Sequence, residues 1–226
     1  MLLGNLLRSA RKKYRKISVE GICFDSRKVK KKDIFFAIKG SKTSGTKFIK
    51  EAISKGVSAI VSNKKVKFKN SKIPLFIVND ARKSLSEACS NFYKKKPSSI
   101  IAVTGTNGKS SVADFFYQIL NLHKVSAASI GTLGIVSKKY KKKTKLTSLD
   151  PLSLHQNLQI LTKKKINHVI LEASSHGLKQ KRLDNLNIKI GIFTNLSHDH
   201  LDYHKNMQSY FNSKMYLFRT FLLTFV

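Results

Sequence analysis

The sequence predicts an α/β protein in two units: a small α/β unit over residues 1–97, and a second from residue 98 built as a mostly parallel sheet covered on both faces by helices. Three observations predict it. Apolar runs of strand length alternate with segments of helical periodicity along most of the chain. The stretch Lys94-Lys95-Lys96-Pro97-Ser98-Ser99 interrupts that alternation with linker composition. Residues 101 to 111, Ile-Ala-Val-Thr-Gly-Thr-Asn-Gly-Lys-Ser-Ser, then pass from an apolar strand through a glycine-bounded turn into an amphipathic segment.

In the first unit, Asp33 to Ile38 reads as a strand, Phe48 to Lys55 as a helix, Ala59 to Val61 and Leu75 to Val78 as strands, and Ser84 to Tyr93 as a helix. The second unit starts with a strand over Ile100 to Val103. A helix follows the turn, because Val112, Phe115, Phe116, Ile119 and Leu120 recur at the spacing of one helical face. An apolar patch over Ser126 to Ile135, a lysine-rich loop to Lys145, a helix from about Pro151 to Lys164 and strands at His168 to Ala173 and Ile188 to Asn195 complete the pattern. In a parallel sheet of this kind ligands gather at the carboxyl ends of the strands. The distinctive polar segments all fall there: the turn after the first strand, Glu172 to Gly177 after the third, and Thr194 to His204 after the fourth.

The turn has the chemistry of a phosphate cradle. Gly105 and Gly108 let the chain curl so that successive backbone N–H groups face an anion, Lys109 adds a point charge, and the Ser110 hydroxyl is placed to ligate a nucleotide's magnesium. The spacing departs from the usual P-loop, since Val103 stands where the first glycine is expected and Gly105 lies inside the loop. Glu172 ends an otherwise apolar strand, where a carboxylate is costly unless a cation accompanies it, so it reads as a magnesium ligand. His200 lies in a histidine-rich turn that could supply a nitrogen ligand, while His198 and His204 read as solvated. A two-histidine zinc site is disfavoured, because neither a cysteine cluster nor HExxH spacing supports it.

Composition bounds the function. At 226 residues, 41% apolar and 9% aromatic, the chain can build real cores. Cys23 and Cys89 lie in unrelated contexts, and Cys89 shares a helical stripe with Leu85, Ala88 and Phe92, so buried thiols are expected. Met1 to Lys16 has no secretory pattern and no segment suits a membrane span, so a cytoplasmic location is expected. A net charge of +32 argues for a nucleic-acid partner. Against it, the lysines are scattered in turns and helix ends, with no recognition helix, aromatic platform or finger pattern. They read as a solvated surface with no specific nucleic-acid function.

Thr104-Gly105-Thr106-Asn107-Gly108-Lys109-Ser110, followed by Leu171-Glu172-Ala173-Ser174-Ser175-His176-Gly177-Leu178, Thr194 to His204 and Tyr210-Phe211-Asn212-Ser213-Lys214, resembles the Mur ligases of peptidoglycan synthesis. Within that family it is most similar to the members that add the third residue of the stem peptide. The resemblance runs from about Gly21 to about Phe218. It implies an ATP-dependent ligase in which the D-glutamate carboxylate of UDP-N-acetylmuramoyl-L-alanyl-D-glutamate is phosphorylated and the acyl phosphate is then aminolysed by meso-diaminopimelate or L-lysine. It also implies a UDP-precursor-binding domain over 1–97 and a truncated central ATP-binding domain over 98–226, an incomplete, P-loop ATPase-like, mostly parallel sheet. ATP would lie on Gly105, Thr106, Asn107, Gly108, Lys109, Ser110 and Ser111, and magnesium on Ser110, Glu172, His200 and a carbamylated Lys214. Lys109, Glu172, His200 and Lys214 are the implied catalytic set. Ser26, with the Gly40 to Gly45 loop, would hold the uridine diphosphate, and Thr147, Ser148, Ser174, Gln180 and Arg182 the muramoyl dipeptide. The family's Asn-Thr-Thr-Pro-Asp-Pro stands here as Leu146-Thr147-Ser148-Leu149-Asp150-Pro151, which loses an asparagine amide.

The family's third domain, which closes over ATP and binds the amino acid, is not recognisable, and residues 219–226 match no family pattern. A truncated monomer, inactive alone, is therefore expected. The alternatives are a non-catalytic nucleotide-binding remnant and a folylpolyglutamate synthetase-like ligase. The latter is disfavoured by the N-terminal domain and by the Ser174-to-Gly177 and Asp199-to-Asp202 segments.

Overall fold

A computed structural model describes residues 1–7, 11–40, 43–66 and 72–221. Contacts divide the chain into two compact units, Met1–Phe92 and Tyr93–Val226.

The first unit contains a four-stranded, all-parallel sheet in the order β1 (Gly21–Cys23), β2 (Asp33–Ala37), β3 (Ala59–Ser62), β4 (Leu75–Ile77). All five residues of β2 are buried, as a strand flanked by neighbours and covered by helices requires. Phe35 and Ala37 share a core with Ile49 and Ala52 of helix α2 (Ile49–Ser54), while α1 (Leu3–Leu6) packs on α3 (Ala81–Phe92). Helix α3 starts three residues before the predicted Ser84, because the Asp80 carboxylate caps it by accepting from the N–H groups of Arg82 and Lys83 at 2.9 and 3.1 Å. Strand β1, which has no counterpart among the predicted strands, is three residues long. Cys23 and Cys89 are buried free thiols.

The second unit carries a five-stranded sheet in the order β7-β6-β8-β5-β9, with β5 (Ser99–Thr104), β6 (Ala127–Gly131), β7 (Gly134–Ser137), β8 (His168–Glu172) and β9 (Ile188–Phe193). All pairings are parallel except β6 with β7. The predicted apolar patch at Ser126 to Ile135 is therefore a hairpin, and Glu172 ends the unit's fourth strand, not its third. Helix α5 (Pro151–Lys163) presents Leu154, Leu158 and Leu161 to one sheet face. Its start is fixed by Pro151 in the first turn and by the Asp150 carboxylate, which accepts from Ser153 N–H at 2.9 Å. Helix α8 (Met207–Phe221) adds Leu217 to that core.

Helix α4 (Lys109–Leu122) lies on the other face, where Ala113, Val112 and Phe116 meet Ile101, Val103 and Ile170. The predicted single face of α4 needs correction. Phe115 and Ile119, with Leu122 beyond them, are 61, 54 and 80% exposed, so two of the five residues of the apolar stripe point away from the sheet. Two short helices, α6 (Ser175–Lys179) and α7 (Leu201–His204), complete the unit at the carboxyl ends of β8 and β9. No helix among the described residues is long and apolar enough to cross a membrane.

Candidate functional site

At the carboxyl ends of β5, β8 and β9 a cavity of about 270 Å3 is lined by residues 105–111 together with Thr132, Thr147, Glu172, Ser174, His200, Tyr210 and Lys214. Backbone conformation explains the cradle's glycines. Gly105 and Gly108 have φ of +148° and +82°, and a Cβ at Gly105 would overlap the Thr194 hydroxyl. The loop is tied to the turn after β9: Thr106 N–H donates to the Asn195 carbonyl at 2.9 Å, Asn107 N–H to Asn195 Oδ1 at 3.0 Å, and the Thr194 hydroxyl to the Asn107 carbonyl at 2.6 Å. Thr106 Oγ1 accepts from Ser197 N–H at 3.0 Å and lies 3.2 Å from the Tyr210 hydroxyl. The cradle is therefore held from outside the loop itself.

Two lysines converge on it. Lys109 Nζ donates to the carbonyls of Gly105 and Thr106 at 2.9 and 2.7 Å, and Lys214 Nζ donates to the same Gly105 carbonyl at 2.6 Å. Lys214 is 1% exposed and lies over the Tyr210 ring, 4.3 Å from its centroid. Burial, reinforced by the charge of Lys109, lowers its pKa to about 8. Burial also lowers Lys109, against the pull of Glu172 and Asp199.

Glu172 is 3% exposed. Its Oε2 accepts from the Ser110 hydroxyl at 2.9 Å and from the Thr132 hydroxyl at 3.1 Å, and its Oε1 accepts from Thr132 N–H at 2.8 Å. A Cβ on Gly131 would overlap this carboxylate. Gly131 and Thr132 thus shape the site, and the sequence reading missed both. The available signal was a glycine ending an apolar run beside a lone buried acid.

His200 has φ of +52° and an exposed ring, with Nδ1 3.4 Å from Asp199 Oδ1. His176 lies edge-on to it at 4.9 Å and stacks on Tyr203 at 4.0 Å. His204, expected to be solvated, is 1% exposed, and its Nε2 lies 3.0 Å from the Ser175 hydroxyl. Helix α7 turns inward there, and burial lowers the imidazole's pKa to about 4.

Of the expected substrate contacts, Thr147 and Ser174 line the cavity, whereas Ser148, Gln180 and Arg182 are not among its lining residues. Buried Ser148 donates to the Glu172 carbonyl and accepts from Ser174 N–H, both at 2.8 Å. Arg182 donates to the Ser148 carbonyl at 2.6 Å and, through Nε and Nη2, to Gln180 Oε1 at 3.2 and 2.8 Å. Ser26 belongs to the first unit. There it lines a second cavity, of about 480 Å3, with Asp25, Arg27, Gly40, Gly45 and Glu51. Part of the expected Gly40 to Gly45 loop, residues 41 and 42, lies outside the described residues. The Arg27 guanidinium, paired with Asp25 through two hydrogen bonds of 2.9 and 2.8 Å, holds that carboxyl below its ordinary range.

As for a metal, no group of three or more His, Cys, Asp and Glu side chains among the described residues could hold one. The donors beside the cradle are hard oxygens, the Ser110 hydroxyl on the Glu172 carboxylate, and no lysine, arginine or histidine forms an ion pair with that carboxylate among the described residues. That chemistry fits a magnesium ion brought in with a nucleotide.

Residues 103–224 match the Mur ligase middle domain, and residues 18–93 match the Mur ligase family catalytic domain. The UDP-N-acetylmuramoyl-L-alanyl-D-glutamate--2,6-diaminopimelate ligase of Rhizobium meliloti (strain 1021) is 44% identical over 206 residues, covering 91% of this chain and 42% of the relative. The enzyme of that description from Rickettsia conorii is 43% identical over 210 residues, covering 91% and 43%. The chain thus spans less than half the length of these relatives. A solved structure of a UDP-N-acetylmuramoyl-L-alanyl-D-glutamate--2,6-diaminopimelate ligase superposes with a TM-score of 0.83 at 30% identity, over 96% of this chain and 45% of that one. A MurF ligase from Thermotoga maritima, solved in complex with ADP, shares the fold at a TM-score of 0.57 and 20% identity, over 88% and 43% of the two chains.

Proposed function

Because the chain belongs to the Mur ligase family, we propose that it forms the precursor-binding and ATP-binding part of the ligase that joins 2,6-diaminopimelate to UDP-N-acetylmuramoyl-L-alanyl-D-glutamate, as its relatives are described. One observation carries the reading: a buried Glu172 is hydrogen-bonded to the Ser110 of a glycine-built cradle on which Lys109 and Lys214 also converge.

The physical task is to bring a carboxylate nucleophile up to a triphosphate, two anions that repel. The cradle N–H groups and Lys109 would take the phosphates, with Lys109 exchanging its present carbonyl partners for phosphate oxygens. Magnesium held by Ser110 and Glu172, with His200 and carbamylated Lys214 as holders of a second ion, would offset the charge that develops on the transferred phosphoryl group. Lys214 is suited to that modification. With a pKa of about 8, roughly a tenth of it is neutral at pH 7. The neutral amine can attack carbon dioxide, forming an N–C bond and releasing a proton, and so turn a cation facing the metal into an anion. Thr147 and Ser174, on the cavity wall, would position the dipeptide. Ser148, Gln180 and Arg182 would orient that wall. Ser26 would bind the uridine diphosphate from its own cavity in the first unit.

The reading is tested by calorimetric titration of Mg-ATP and of UDP-N-acetylmuramoyl-L-alanyl-D-glutamate against wild type, Lys109→Met and Ser26→Ala. Selective loss of nucleotide binding in the first variant and of precursor binding in the second is expected. Absence of nucleotide binding in the wild type would remove the cradle assignment.

A further inference from the structure

The sheet of the second unit has two unlike ends. The cavity occupies the carboxyl end, and the loops that enter the parallel strands gather at the other. Lys94 and Lys95 precede β5, Lys124 precedes β6, and residues 163–165, all lysine, precede β8. Because β7 runs antiparallel, its exit at Lys138 and Lys139 returns to the same end. Each of these lysines is exposed. The acid in these loops among the described residues is Asp184, which is buried and accepts from the Tyr216 hydroxyl at 2.9 Å. Among the described residues the lysines at this end therefore stand without an exposed acid, whereas at the opposite end exposed lysines such as Lys143 and Lys205 are mixed with the exposed Asp199 and Asp202.

Two further features qualify this end. A cleft of about 200 Å3 opens between the end of α4 and the β6–β7 hairpin, lined by Asn121, Ser126, Lys124, Lys138 and Lys139. Leu122, one residue from Asn121, is 80% exposed. An apolar side chain standing among lysines, beside a cleft of headgroup size, suits a surface that is anionic outside and apolar just beneath. Nucleic acid suits it less. The exposed basic groups in these loops are lysines, point charges without the fork by which arginine reads phosphate and guanine, Arg182 being half-buried on the Ser148 carbonyl, and among the described residues no row of exposed aromatic rings offers bases a stacking platform.

We propose that this lysine-rich end of the second unit is a docking face for an anionic phospholipid membrane, leaving the nucleotide cavity open on the far side. The test is sedimentation of the chain with vesicles of phosphatidylcholine containing roughly 30% phosphatidylglycerol, against pure phosphatidylcholine, at about 0.1 M salt. Four variants are compared: Lys124, Lys138, Lys139 and Lys164 all changed to Glu; the same four changed to Gln; a charge-matched control with Lys12, Lys50, Lys64 and Lys65 changed to Glu; and Leu122→Ser. Circular dichroism and Mg-ATP titration run in parallel to separate misfolding from loss of the face.

Wild type is expected to bind the anionic vesicles only. The Glu and Gln variants should bind roughly a hundredfold more weakly, the control within about twofold of wild type, and Leu122→Ser should bind measurably more weakly than wild type. An equal loss in the control would show that diffuse net charge does the binding, and would overturn the proposal. So would absence of wild-type binding to anionic vesicles. A third overturning result is a face whose lysines are needed for binding single-stranded or duplex nucleic acid but not for vesicles.

Discussion

At the residue scale, the cavity is built from groups whose surroundings set their chemistry. Lys109 is held by two carbonyls, and on the proposed function Lys109→Met would preserve its length and delete a charge-assisted contact to phosphate. Mg-ATP affinity is expected to fall by ~1.5–3 kcal/mol, tenfold or more, in a calorimetric titration. Gly131→Ala should be as damaging without touching a charge, because the added Cβ would overlap the Glu172 carboxylate and displace it from Ser110 and Thr132. Loss of magnesium-dependent nucleotide binding with a helical spectrum retained is the expected readout. His155 belongs to the core, fully buried, and burial together with the Lys96 charge lowers its pKa to about 3. Between about pH 6.5 and 3 the unfolded chain binds a proton that the native state refuses. Stability should therefore be level above pH 6.5 with respect to this group and fall as pH drops below it, by an amount on the order of a few kcal/mol. Urea unfolding across that range should show a shallower slope for His155→Leu.

At the element scale, helix α4 separates what periodicity can report from what it cannot. Val112, Phe115, Phe116, Ile119 and Leu120 recur at helical spacing, and the helix exists, yet the sheet covers only the side around Ala113 and Phe116. The double variant Phe115→Ser and Ile119→Lys is expected to change stability by no more than ~0.5 kcal/mol per site. Leu158→Ala, in the core of α5, should cost ~2–5 kcal/mol. Chemical denaturation of the two variants checks both, and a large loss in the first would mean that the outer side of α4 is covered. Helix α8 works in the opposite sense. Tyr210, Ser213, Lys214 and Leu217 lie on its buried side, so a helix anchored in the core by Leu217 delivers a lysine to the cradle.

At the scale of the whole molecule, the relatives are more than twice as long as this chain, and the cavity lining includes an exposed His200. The 226-residue polypeptide is expected to bind Mg-ATP but to yield no tripeptide from the UDP-linked dipeptide and diaminopimelate. Mass spectrometry decides it, and turnover at ~1 per second or more would refute it. How much of this was legible in the chain follows from the range of the interactions. Strands and helices with strong periodicity, the cradle between β5 and α4, and the lone acid ending β8 are local in sequence, and local propensity and pattern suffice to locate them. The three-residue β1, the hairpin inside Ser126 to Ile135, the burial of His204 and the support of Glu172 by Gly131 and Thr132 were not legible. The hairpin is local, but its turn lies within an apolar run that periodicity reads as one segment, whereas the support of Glu172 depends on partners far along the chain: Glu172 lies 40 residues from Thr132 and 62 from Ser110. The sequence by itself determined which groups could bind phosphate and metal; only the tertiary structure decided which of them meet, because that depends on strand order and on packing between segments that no local pattern encodes.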